Sequence, residues 1–143
     1  MEFVASNFWN KTGQSYVTLK HLGSFFTGKA RLHPDDKEYA SELVGCSYAE
    51  SRATILALKY ERALAKQEAE TCRKFIKACE CYKGWNKEDS SAKAAYRQLN
   101  RKIKKVNDIT DKINKEMLAL QRAMTQRIII QKRFESKEEN QNK

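Results

Sequence analysis

From Cys46 to Lys83 the chain contains neither proline nor glycine. A stretch that long without a breaker is read as one helix, since strands rarely exceed about ten residues. Ser47-Tyr48-Ala49-Glu50 opens it as a capping box, in which serine and glutamate satisfy each other's backbone donors. Gly84 is expected to close it as a left-handed stop. Asn86-Lys87-Glu88-Asp89 then starts a second helix, with Asn86 capping and acids facing the positive end of the dipole. This helix is predicted to run to about Phe134. Ala92, Leu99, Val106, Ile113 and Leu120 recur at one seam position, and Tyr96, Ile103, Met117 and Met124 at the other, with Thr110 the polar exception. The first helix offers a thinner seam of Leu58, Ala65, Cys72, Ile76, Cys79 and Tyr82. A connection this short makes two helices antiparallel. Pairing outward from the turn brings Met124 near Cys46 and leaves Ile128, Ile129, Ile130 and Phe134 overhanging.

Residues 1–33 are rich in aromatic side chains: Phe3, Phe8, Trp9, Tyr16, Phe25 and Phe26. Tyr16, Leu19, Leu22, Phe25 and Phe26 recur at helical spacing, with Thr27-Gly28 as a stop, which predicts a short helix over 14–26. His33-Pro34-Asp35-Asp36 suits the start of another, reaching about Val44 and ended by Gly45. The expected fold is therefore all-α: a long antiparallel, coiled-coil-like helical hairpin with two short N-terminal helices packed at its base. Residues 1–45 form the aromatic-rich helical base, 46–136 the hairpin with its turn near 84–86, and 137–143 a polar, solvated tail.

The chain has 143 residues, enough to bury a modest core. No run approaches 18 apolar residues, so no membrane span is expected. The start, Met1-Glu2-Phe3-Val4, lacks the basic and apolar regions of a secretory signal. Cys46, Cys72, Cys79 and Cys81 are accordingly read as reduced thiols, and the protein as intracellular and cytoplasmic.

Formal net charge is +10, with 28 Lys and Arg against 18 Asp and Glu. Its distribution is lopsided. Arg73, Lys74, Lys77, Lys83, Lys87, Lys93, Arg97, Arg101, Lys102, Lys104 and Lys105 face only Glu80, Glu88 and Asp89 within the same stretch. Eleven cations against three carboxylates put +8 at the hairpin tip. Trp85 and Tyr82 fall at the turn. Cations can neutralise a phosphate backbone while a ring stacks, so Trp85 joins the eleven as a candidate anionic-partner or nucleic-acid surface. The plainer alternative is that long helices need solvated faces and lysine is a good helix former. On that view Tyr82 belongs to the seam and Trp85 caps the turn.

Cys72 and Cys79, seven apart, share a helix face. They lack the Cys-x2–4-Cys knuckle of structural zinc, and a seam explains small apolar cysteines more simply. No glycine-rich phosphate loop, nucleophile elbow or His-Glu helix motif occurs. The adjacent acids Asp35-Asp36 and Glu88-Asp89 sit at helix starts, where acids are expected. The reading is a protein without catalytic residues, metal, cofactor or small-molecule substrate. Ile128, Ile129, Ile130 and Phe134 are its candidate interface, since a two-helix hairpin buries only one stripe per helix. The expected partner is another protein or a second copy, as homo-oligomer or subunit of a larger assembly. Function is read as an assembly or adaptor protein that associates through its base and presents a basic tip to an anionic partner. Nucleic-acid binding through that tip is the alternative, and a protein inhibitor that blocks a partner surface a further one.

Overall fold

The computed structural model describes residues 1–9, 13–31 and 42–141, without the side chains of 42, 43, 127–136, 138 and 140. The chain opens with three eight-residue strands, β1 (Glu2–Trp9), β2 (Gln14–His21) and β3 (Ser24–Arg31). They form one antiparallel sheet in the order β1-β2-β3. Two long helices follow, α1 (Glu42–Glu80) and α2 (Ser90–Gln141). The all-α expectation is therefore wrong for the first part of the chain: the helix placed over 14–26 is a β-hairpin.

The physical reason lies in β2 itself. Ser15, Val17 and Leu19 are buried while Tyr16, Thr18 and Lys20 point the other way, the period of two that a half-covered strand requires. Leu22 (φ 50°) and Gly23 (φ 77°) then reverse the chain, with His21 opposite Ser24. Two consecutive left-handed residues make the type I′ turn, whose twist matches that of the flanking strands. Such a tight turn sets the register, and the hydroxyls of Thr18 and Thr27 meet at 2.9 Å across it. Gly13 (φ 65°) serves the other connection, its amide donating to the Trp9 carbonyl at 2.8 Å. In β1 the register shifts between Phe3 and Ala5.

The second short helix, expected over 34–44, lies largely outside the described residues. Gly45, placed as its end, is instead inside α1 and buried. With Ala49 and Ala53 it forms a stripe of small residues at four-residue intervals, which lets the helix backbone settle directly onto the sheet. A Cβ on Gly45 would run into the Ser15 hydroxyl; one on Gly28 would strike the Ala49 carbonyl and lie 2.5 Å from the Ala53 nitrogen. Val17, Leu19, Ala30, Ala49 and Ala53 make the core here, with Cys46 and Tyr48 packed beside it. The Arg52 guanidinium donates to the Lys29 carbonyl, fastening α1 to β3.

The chain divides into two compact units. One joins residues 1–57 to 114–143; the other is 58–113. The first contains the sheet, the start of α1 and the latter part of α2, where the Tyr48 hydroxyl donates to the Ala123 carbonyl at 3.4 Å. The second buries Leu58, Ala65, Ala69 and Ile76 of α1 with Ala92, Ile109 and Ile113 of α2. Within it the helices run antiparallel: Lys102 meets Glu68 at 2.8 Å and Tyr96 meets Glu80 at 2.6 Å. Among the described residues, no helix is long and apolar enough to cross a membrane.

Candidate anionic-partner surface

All twelve residues of the expected surface belong to the 58–113 unit, on the last turns of α1, the connection, and the first turns of α2. The connection is built from local backbone bonds: Tyr82 N–H to Cys79 O at 3.0 Å and Trp85 N–H to Tyr82 O at 3.1 Å. Gly84 does not adopt the left-handed conformation expected of it. The Asn86 side chain accepts the Glu88 amide at 3.0 Å, an Asx turn rather than a helix cap, and α2 begins at Ser90. Tyr82, expected on the seam, is instead at the surface. Tyr82 is 80% exposed, whereas Trp85 is half-buried, with its indole N–H enclosed and without a hydrogen-bond partner.

Four of the cations have carboxylate neighbours. Lys102 (2.8 Å) and Lys105 (4.0 Å) share Glu68, Arg73 lies 3.7 Å from Glu70, and Lys93 3.4 Å from Glu88. The hydrogen bond from Lys102, then the charges of Lys105 and Lys102, hold the Glu68 carboxyl below its ordinary range. The same bond pushes the Lys102 ammonium up. The Tyr96 phenol is raised too, first by donating to the Glu80 carboxylate. Lys74, Lys77, Lys83, Lys87, Arg97, Arg101 and Lys104 make no ion pair among the described residues, and all seven are exposed. Lys93, Arg97, Arg101 and Lys104 follow one another at three- and four-residue intervals, so they line a single stripe of α2. A groove of about 480 Å3 runs between the helices, with Lys66 and Arg73 beside Ile103, Val106 and Asn107. The arrangement offers fixed positive charge. Among the described residues, no three His, Cys, Asp or Glu side chains come together as a metal site would need.

Ile128, Ile129, Ile130 and Phe134 fall in the latter part of α2, and their side chains lie outside the described residues. Nearby in sequence, an apolar groove of about 670 Å3 is lined by Ile55, Met117, Leu118, Leu120 and Met124, all in the sheet-containing unit.

A second surface is hidden in the sequence because residues 14–26, its central strand and turn, read as a helix there. The face of the sheet turned away from α1 carries, row by row, Trp9-Gln14-Arg31, Asn7-Tyr16-Lys29, Ala5-Thr18-Thr27 and Glu2-Lys20-Phe25. Trp9 is 60% exposed and Phe25 64%. The Lys29 ammonium lies 5.7 Å from the centre of the Tyr16 ring, and that of Lys20 lies 5.8 Å from the Phe25 ring. The available signal was Gly13 and Gly23, ten residues apart, bracketing the strand-forming Tyr16-Val17-Thr18. No known protein family, curated protein or solved structure matches the chain.

Proposed function

We propose that this is a non-enzymatic assembly or adaptor protein whose basic helical tip, in the 58–113 unit, engages an anionic macromolecular partner. The observation that carries this reading is the group of seven exposed cations between Lys74 and Lys104 that make no ion pair among the described residues. Ordinary solvated helix faces mix both signs, and α1 does so at Glu61-Arg62 and Glu70-Arg73. Around the connection the acids are too few to do the same, and like charges left together repel one another. An opposing anionic surface relieves that repulsion and releases bound counterions, which makes association strongly salt-dependent.

The test compares Arg97→Glu/Arg101→Glu/Lys104→Glu with a charge-matched control, Lys115→Glu/Arg122→Glu/Lys137→Glu. Probes are labelled polyglutamate, mixed-sequence duplex DNA and polyuridylate, titrated across a salt series. The tip variant should lose at least tenfold in affinity for one or more probes while its helicity is unchanged, since exposed charges contribute little to folding. The control should lose far less. Equal losses would show that overall charge acts, and the localised tip would be wrong. A preference for polyglutamate supports a protein partner, and a preference for either polynucleotide supports the nucleic-acid reading.

A further inference from the structure

We infer that the open face of the β1-β2-β3 sheet is a second binding site, one that takes single-stranded nucleic acid by stacking bases on Trp9 and Tyr16. It stands on different residues and different chemistry from the helical tip. Trp9 pairs with Gln14 and Tyr16 is two residues further along β2, so the rings are diagonal neighbours on one face. That geometry separates them by about 7–8 Å between backbones, close enough for successive bases of one strand to reach both. Arg31 lies across β2 from Trp9, and Lys29 pairs with Tyr16. Each ring thus has a cation in its own row. The Lys29 ammonium above the Tyr16 ring shows that ring and charge project from the same side. Asn7 completes the patch with an amide able to meet base edges, while the Gln14 amide oxygen accepts the Tyr16 hydroxyl at 2.7 Å.

A solvated sheet face accounts for Thr18 and Thr27 in the next row. It gives no reason for an indole 60% exposed in a row that ends in Arg31, next to the row of Tyr16 and Lys29, with no acid among the described residues of either row. Among the described residues of the face, the one carboxylate, Glu2, sits in the far row and pairs with Lys20. Aromatic rings flanked by Lys and Arg are what unpaired bases and a phosphodiester backbone require together. A duplex, whose bases are already stacked, cannot use the rings. An acidic polypeptide would use the charges but leave the indole idle.

The experiment follows binding of twelve-nucleotide oligothymidylate and oligouridylate to the full-length protein by anisotropy and by quenching of Trp9 fluorescence. The Trp9 signal is read as the part of the quenching that is absent from Trp9→Phe, with a duplex of equal length and polyglutamate alongside. Single strands should quench Trp9, and the duplex and polyglutamate should not. Trp9→Ala should weaken single-strand binding by about five- to a hundredfold, Trp9→Phe should restore most of it, and Lys29→Ser/Arg31→Ser should flatten its salt dependence. Trp9 is exposed, so these changes leave the circular dichroism spectrum as it is. Single-strand binding that Trp9→Ala leaves intact would overturn the site, as would quenching by polyglutamate but not by oligonucleotides, or no single-strand binding at all. Because the tip reversals leave this sheet untouched, loss in one set of variants without the other tells which surface is wrong.

Discussion

Gly28 sits where β3 and α1 come closest, and a methyl group has no room there. An alanine Cβ would collide with the Ala49 carbonyl and the Ala53 nitrogen, both backbone atoms of a helix that cannot yield locally. Gly28→Ala should therefore destabilise the protein by about 3 kcal/mol or more, at the upper end of overpacking costs. Gly45→Ala should cost less, since its obstacle is the Ser15 side chain, though Ser15 is fully buried and has little space to turn. Gly84→Ala should be neutral, or stabilising by about 0.4–1 kcal/mol through the unfolded chain, because nothing lies within 4 Å and its backbone is not left-handed. Urea unfolding midpoints of the three variants decide it; a Gly84 variant less stable than the Gly28 variant would contradict the packing described. These glycines also show why the sequence misleads. All three look like helix stops, yet two are buried contact points, and only a partner element distant in sequence makes that visible.

At the scale of elements, the antiparallel pairing of α1 and α2 is tied across by Glu68 with Lys102 and Lys105. The folded Glu68 carboxyl titrates below its ordinary value of 4.5, so its contribution to stability is present above that value and is lost as pH falls through the lowered one. Lys102 is shifted up from 10.5, so its share persists through neutral pH and is lost only as pH rises past its folded value. Glu68→Gln should lower the melting temperature at pH 7, and the difference from the unaltered protein should close as pH falls through the lowered Glu68 value. Both side chains are partly exposed, so the effect is small and should shrink in high salt. A difference that stays constant as pH falls from 7 through that lowered value would mean that packing, not charge, distinguishes the variant. The two helices were legible because their signals are local: no breaker from Cys46 to Lys83, and Leu99, Val106 and Ile113 in steady register. The strands were not. Eight residues hold only four inward positions, and Leu19, Leu22, Phe25 and Phe26 recur at a helical period although pairing puts Leu19 and Phe26 on one face, Phe25 on the other and Leu22 in the turn. What separates the two is Leu22 and Gly23 turning left-handed, which depends on Val17 and Leu19 having α1 to pack against. The charged tip was readable as composition. The sheet face was not, since Trp9, Tyr16 and Lys29 become neighbours only through pairing.

For the molecule as a whole, the open question is what covers its remaining apolar surface. In the sheet-containing unit, Met117 and Leu118 of α2 are 49% and 47% exposed, and with Ile55, Leu120 and Met124 they line the groove of about 670 Å3. Scattered exposed leucines need no explanation, but several adjoining ones around a groove are the usual mark of a contact surface. Two methionines suit such a role, since their flexible thioethers adapt to a facing surface. Self-association is the expected outcome, with a scattering mass above the 16.6 kDa of one chain. Light scattering is the right measurement because it gives mass without assuming a shape. Met117→Glu/Leu118→Glu should return the mass to one chain: carboxylates at both positions must be desolvated in any interface they enter. The same variant should keep its helicity and its affinity for polyanions if the tip binds independently of assembly. A mass of 16.6 kDa at high micromolar concentration would rule out a homo-oligomer and leave a different protein as the cover for this groove. A larger mass that Met117→Glu/Leu118→Glu does not reduce would move the interface elsewhere, to the latter part of α2 that holds Ile128, Ile129, Ile130 and Phe134.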